Sequence, residues 1–308
     1  MKAVRFNQFG APEVLDVVEA DLPAASATEV VVQVRAAGIN PGEASIREGL
    51  LEALYPTTLP CGEGSDLAGV ITGLGDEVDG WSVGDEVVGW VDTRSSHAEL
   101  VAVPTAHLVA KPESLSWQVA GAVFVAGTTA WAATGAVQPK PGDVVAVSAA
   151  AGGVGGLVSQ LLVERGATVL GIASEENTQW LRSKGVTPID RSGGLEAVAD
   201  RLREAAPEGI DAFIDLFGGG YVQLALDLGV SGQRINTIID FDQVGKNGVL
   251  GIGSADGSSA QVLSELVARL ADGRLELPIE ATYPLTDVRE AFTQLEQRRT
   301  RGKIVLIP

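Results

Sequence analysis

The stretch Ser148-Ala-Ala-Ala-Gly-Gly-Val-Gly-Gly156 decides how the rest of the chain is read. Its residues are too small and too flexible for ordinary core, and glycine at this density lets a ligand or a second backbone come close. Just before it, Asp143-Val-Val-Ala-Val-Ser148 is a short apolar run that predicts a buried strand. Just after it, Val154, Leu157, Val158, Leu161 and Leu162 recur at helical spacing. Strand, small-residue turn and helix in that order are the setting of a dinucleotide-binding fingerprint. The pattern is an imperfect GxGxxG: Ala150 holds the first glycine's place, with Gly152 and Gly155 at the third and sixth. A turn that merely packs tightly is the alternative reading, and a second strand at Ala167–Ala173 weighs against it.

Outward from the turn, strands and helices alternate. A helix is expected around Leu195–Ala205 and a further strand at Asp211–Leu216, which implies a parallel sheet covered on both faces. The first third of the chain has a different character. Val30–Arg35, Gly69–Thr72, Glu86–Trp90 and Ala98–Val103 read as short strands, punctuated by Gly73, Gly75-Asp76, Gly80 and Gly84-Asp85. Such spacing predicts a small barrel or sandwich. Ser116–Gly127 reads as one helix with Ser114 or Ser116 as N-cap. Near the end, Leu285–Gln297 reads as a helix and Lys303–Ile307 as a strand. The fold class is therefore α/β.

Composition excludes several function classes. Of 308 residues, 45% are hydrophobic and 20% charged, so a sizeable core is available. Forty acidic residues against 22 lysines and arginines give a net charge of -18. That argues against nucleic-acid partners and against an anionic membrane surface, both of which need a cationic face. One cysteine, Cys61, rules out a disulfide framework or a multi-cysteine zinc site. Met1–Phe6 lacks the apolar segment of a signal peptide, and no run of about eighteen apolar residues occurs. The expectation is a soluble, cytoplasmic chain.

The tip of the second strand bears on cofactor choice. An acid there would bind the adenosine ribose of NAD, whereas a small residue with a nearby cation would accept the 2′-phosphate of NADP. Here the tip is Ser174, followed directly by Glu175 and Glu176, with Arg182 and Arg191 downstream.

Taken together, Ala149–Gly156, Gly38-Ile-Asn40, Val83–Gly89, Ala126–Trp131 and the C-terminal Thr300–Pro308 resemble the zinc-independent quinone oxidoreductase (zeta-crystallin-like) branch of the medium-chain dehydrogenase/reductase superfamily, over nearly the whole chain and in order. The resemblance implies a GroES-like β-barrel catalytic domain, residues 1–113 with 275–308, and a Rossmann doubly wound parallel sheet domain at 114–274. It also implies reduction of a quinone or an activated alkene (an enone) with NADPH, with NADH left open, and a homodimer, since members are commonly dimers. The zinc-dependent relatives carry a cysteine ligand at the place of Asn40 and a histidine at the place of Ser65, so no metal site is expected. His97 and His107 are expected at the barrel surface or in turns.

Carried over position by position, the resemblance places Asn40 and Thr129 near the nicotinamide and Gly152, Gly153, Val154 and Gly155 along the pyrophosphate. It groups Ser174, Arg191 and Arg298 around the adenosine phosphate; Arg182 is a candidate from its position downstream alone. The lysine common after the second strand is Thr178 here, and a tyrosine often found after the next strand is Arg191. Hydride transfer to an enone leaves an enolate, and a hydrogen-bond donor at that oxygen is worth about 2.7–4 kcal/mol in sites of this type. The candidate donors are Asn40, Tyr55 and the cofactor ribose. A plain turn role for Asn40 and a packing role for Tyr55 are the alternatives. Two other functions stay open: an enoyl-thioester reductase, and a non-catalytic NADPH-binding sensor or structural protein.

Overall fold

Val30, Val32 and Val34 alternate with more exposed neighbours, and in the computed structural model, which describes residues 1–308, all three are buried. A period of two is what a half-buried strand requires. These valines open the core of a barrel-like unit. In chain order its first leg contains β1 (Lys2–Phe6), β2 (Leu15–Glu19), β3 (Glu29–Gly38), α1 (Pro41–Arg47), β4 (Cys61–Gly62), β5 (Asp66–Leu74), β6 (Glu86–Trp90), β7 (Leu100–Pro104), β8 (Leu108–Ala110) and α2 (Trp117–Ala120). A second unit follows: α3 (Phe124–Ala136), β9 (Val144–Val147), α4 (Gly153–Glu164), β10 (Thr168–Ala173), α5 (Thr178–Ser183), β11 (Thr187–Asp190), α6 (Gly194–Ala205), β12 (Ala212–Asp215), α7 (Tyr221–Asp227), β13 (Ile235–Thr237) and α8 (Ser254–Gly257). The chain then returns to the first unit with α9 (Ala260–Ala271), β14 (Ile279–Pro284), α10 (Val288–Glu296) and β15 (Lys303–Ile307).

The compact units are Met1–Val125 with Ser259–Pro308, and Ala126–Ser258. The boundaries lie inward of 113 and 275 because α2 packs on β3 and β5, and α9 packs on β8. Ser114 also donates its hydroxyl to the Ala271 carbonyl at 3.3 Å.

In the barrel unit, β3, β5, β6 and β8 pair antiparallel in that order, β7 pairs with β3, and β15 closes on β3 with β14 parallel beside it. The C-terminal strand thereby lays Lys303 beside the end of β3. A three-stranded sheet, β2-β1-β4, covers Phe6, Leu15, Ile39, Phe292 and Ile304. The stretch expected as one helix at Ser116–Gly127 is broken. Ser116 does cap α2, accepting from the Val119 amide at 3.3 Å. At Gly121 the chain turns out of the helix, because the Gly121 carbonyl accepts from the Gly38 amide of β3 at 2.7 Å. A Cβ at Gly121 would lie 2.3 Å from the Ala36 carbonyl oxygen.

In the second unit the sheet order is β11-β10-β9-β12-β13, and every pair is parallel. Its strands are buried on both faces, with Ala146, Leu170, Phe213 and Ile235 in one core. Strand order reverses at β9, where ligands of such sheets bind, outside the carboxyl ends.

Candidate functional site

The turn quoted first lies at the carboxyl end of β9. Ala149 sits in left-handed backbone at φ 50°, uncommon for a residue with a side chain and characteristic of tight functional turns. The helix then starts at Gly153 with Gly152 as N-cap and no side chain capping it. The first amides of a helix lack intrahelical partners. The Gly152 amide is spent on the Ala149 carbonyl at 2.9 Å, but Gly153 and Val154 are only partly buried, and their amides stand at the positive end of the helix dipole. A pyrophosphate fits such a cradle. Gly155 serves packing instead. A Cβ there would stand 2.1 Å from the Ala149 carbonyl oxygen, so its bare backbone keeps the helix tight on the turn. Ala150, the departure from the ideal pattern, is tolerated because Gly171 on β10 leaves room. A Cβ on Gly171 would lie 3.0 Å from the Ala150 methyl.

Sequence reasoning missed the brace beneath this turn. Asp215, fully buried at the end of β12, accepts from the Ser148 hydroxyl at 2.7 Å and from the Thr237 hydroxyl at 3.0 Å. It also accepts from the amides of Phe217 and Gly218, both at 3.0 Å. Ser148 in turn accepts from the Leu216 amide at 2.8 Å. One carboxylate thus ties together the ends of β9, β12 and β13. Part of the signal was present: Ser148 and Asp215 each close a short apolar run, whereas Thr237 follows Asn236 and carries no such mark.

At the adenosine end the candidates divide. Ser174 follows β10, and Arg191 follows β11, its amide bonded to the Ala173 carbonyl at 2.9 Å. Parallel pairing of Ala173 with Asp190 sets these two residues side by side. The Arg191 guanidinium lies 6.0 Å from the Phe217 ring centroid and has no carboxylate partner. Arg182 stands in the last turn of α5, which leads to the amino end of β11, so the topology separates it from that pair. Thr129 is buried within α3. Arg298 belongs to the barrel unit, in left-handed backbone at φ 55° after α10.

The barrel unit holds a buried polar cluster. Asn40 stands two residues after β3 and caps α1, whose Glu43 reaches back to accept from the Asn40 amide at 2.8 Å. The Asn40 side chain donates to Glu43 Oε1 at 3.1 Å and to Asp66 Oδ2 at 3.0 Å, and its Oδ1 accepts from the Lys303 ammonium. Lys303 also donates to the Ile39 carbonyl at 2.8 Å and to Asp66 at 3.4 Å. Asp66 further accepts from the Val125 amide at 2.7 Å, and Glu43 from the Ser65 amide at 3.1 Å. Both amide hydrogens of Asn40 are therefore taken. This corrects its reading as an enolate donor: Asn40 is the keystone that orients the cluster. Neither a turn residue's sequence context nor its spacing could show that, since Asp66 and Lys303 arrive from distant strands.

Burial pushes Glu43 up to about 7, with the neighbouring Asp66 charge acting the same way against the pull of Lys303. Glu63, also buried, lies well above the usual carboxylate range, by burial first and the Glu43 charge second. His97 is a second correction. It is buried, not at the surface; Nε2 donates to the Gly38 carbonyl at 3.2 Å, and burial holds it down to about 4, so it is neutral near pH 7. His107 stacks on Trp90 at 4.2 Å. Tyr55 is 48% exposed, on a loop beside the exposed Leu50 and Leu54, so it does not serve as a packing aromatic. No group of three or more His, Cys, Asp or Glu side chains is placed to hold a metal ion, and no helix is long and apolar enough to cross a membrane.

Comparison with known proteins agrees with this architecture. Residues 26–113 match the alcohol dehydrogenase GroES-like domain, and residues 185–306 match the family described as zinc-binding dehydrogenase. The rat synaptic vesicle membrane protein VAT-1 homolog is 30% identical over 324 aligned positions, covering 93% of this chain and 78% of that protein. The quinone oxidoreductase of Salmonella typhimurium is 28% identical, covering 99% of each. Among solved structures, the quinone oxidoreductase of Coxiella burnetii superposes with a TM-score of 0.89 at 28% identity, over 100% of this chain and 99% of that one. A GroES-like barrel joined in sequence to a Rossmann sheet defines the class. The chain belongs to the medium-chain dehydrogenase/reductase superfamily, in its zeta-crystallin-like quinone oxidoreductase branch, and is an oxidoreductase of that type.

Proposed function

We propose that the chain reduces a small quinone or an activated alkene such as an enone, using NADPH and accepting NADH, without zinc. The observation that carries this reading is the open cradle at Gly152–Gly155, at the reversal of a five-stranded parallel sheet. A reduced nicotinamide, when bound, supplies the hydride. The amides of Gly153 and Val154 hold the pyrophosphate, Gly155 keeps the helix tight against the turn, and Ser174 with Arg191 meets the adenosine ribose phosphate. Thr129 and Asn40 border the nicotinamide, Asn40 by shaping the backbone around it. Tyr55, with a side chain open to solvent, donates to the acceptor's oxygen as negative charge gathers there, and water supplies the proton. Arg298 is a further phosphate contact in this reading, and Arg182 is left out of it.

The zinc-free part rests on donor chemistry. Where the zinc-dependent relatives carry a cysteine, Asn40 receives the Lys303 ammonium, so the cation facing Asp66 is the protein's own. A homodimer in the cytoplasm is the expected setting, with neither nucleic acid nor membrane as partner.

The test is a panel of quinones, enones and enoyl thioesters with NADPH and with NADH, in chelator-treated buffer. Oxidation of the cofactor by quinones or enones is the expected result. Tight cofactor binding with no oxidation by any acceptor would make the chain a sensor, turnover confined to enoyl thioesters would change the substrate class, and loss of activity on chelation would overturn the metal-free reading.

A further inference from the structure

The tip of β10 carries an arrangement that the NADPH reading alone does not use. The Ser174 hydroxyl donates to Glu176 Oε1 at 2.9 Å, and Asn177 Nδ2 donates to the Ser174 oxygen at 3.0 Å. The one hydroxyl hydrogen of Ser174 is thus already committed to a carboxylate. Glu175 and Glu176 are both exposed, but only Glu176 makes this bond. Arg191 lies alongside by the register of β10 and β11, and it makes no ion pair with Glu176.

A 2′-phosphate at this tip would carry about two negative charges and need the Ser174 hydrogen for itself. It would therefore have to displace the Glu176 carboxylate from Ser174 and then sit against its charge. A free ribose diol meets the opposite situation, since its hydroxyls can donate to a carboxylate already in place. Arg191 pulls the other way, because a guanidinium favours the phosphate. The site contains both halves of the choice on adjacent strand ends.

We infer that Glu176 is the specificity-determining residue for cofactor choice, offsetting Arg191 through its hold on Ser174 so that the chain binds NADH and NADPH with comparable strength. The inference rests on the nucleotide reading above and sharpens it.

Binding, read without any acceptor present, tests it. The full chain is titrated with NADPH and with NADH, following the change in nicotinamide fluorescence. Wild-type affinities are expected within roughly tenfold of each other, as opposed charges of similar size at an exposed site imply. Glu176→Gln is expected to tighten NADPH by roughly three- to tenfold while NADH stays level or weakens slightly. Glu175→Gln, lacking the bond to Ser174, is expected to move NADPH by less than about twofold. The inference is overturned if Glu176→Gln leaves NADPH affinity unchanged, or shifts both cofactors equally. If neither cofactor binds the wild-type chain, the nucleotide reading itself fails and the inference falls with it. Glu176 is exposed and outside any core cluster, so the variant is expected to fold, with far-ultraviolet dichroism as the check.

Discussion

The small-residue turn at Ser148–Gly156 and the buried cluster around Asn40 solve opposite problems. The turn works by removing side chains, so that backbone amides stand open for a ligand. The cluster works by adding them, closing every polar group of Asn40 on a neighbour drawn from α1, β5 or β15. One is local and contiguous; the other joins residues 40, 43, 66 and 303. A site made of backbone survives many substitutions on its exposed side but none that adds bulk beneath it. A site made of paired charges tolerates bulk better than the loss of one partner.

The comparison can be broken most severely at Lys303. Lys303→Met keeps the length of the side chain but leaves Asp66 and Glu43 buried without their cation, and the expected loss is about 3–5 kcal/mol of stability, read by denaturant unfolding. An unaltered unfolding midpoint would show that the ammonium holds nothing together. In the turn, Gly155→Val forces a side chain into the Ala149 carbonyl, which a Cβ alone would already meet at 2.1 Å. A loss of about 3 kcal/mol is expected, together with loss of cofactor binding, because the helix must back away from the cradle. Retained binding in that variant would separate the cradle from the tight packing.

Asp215→Asn sharpens the contrast, since it attacks the turn through a side chain. An amide cannot accept from Ser148, Thr237 and two backbone amides together, and about 2 kcal/mol is expected to go, with weaker cofactor binding. The smallest effect concerns protons. Glu63 has a folded-state affinity for protons raised above its unfolded value, so its contribution is fully present below about pH 4.5 and is lost as pH rises through its raised folded value. Glu63→Gln is then expected to gain on the order of 1 kcal/mol over wild type at pH 8, an advantage that shrinks as pH falls through the raised folded value of Glu63 and is gone below about pH 4.5. Because both chains share the rest of the acidic surface, the difference between their pH curves isolates this group. His97 works in the reverse sense: its lowered value makes its contribution complete above pH 6.5 and lost as pH falls through about 4.

Legibility followed the same division. The strand Asp143–Ser148, the helix after it and the second strand were readable because each is a short run with one period, and β9, α4 and β10 fall within a residue or two of those limits. The break at Gly121 was not, because it depends on a carbonyl that β3 captures from another part of the chain. His97 looked like a surface histidine since nothing near it in sequence marks it as buried, yet it lies under the Gly38 carbonyl with Phe292 edge-on at 6.1 Å. Arg182 and Arg191 both lie downstream of Ser174, and only the crossover through α5 to the amino end of β11 sets them apart.

By itself, the order of residues determined the α/β class, the location of the phosphate-binding turn and the family, because those depend on local period and on which side chains are missing. Tertiary structure alone decided that Asn40 gives both its amide hydrogens to carboxylates, that a lysine near the C-terminus stands beside it, and that Glu176 holds Ser174. Hydrogen bonds and buried charge are satisfied in space, and partners as far apart as Asn40 and Lys303, 263 positions, leave no pattern along the chain.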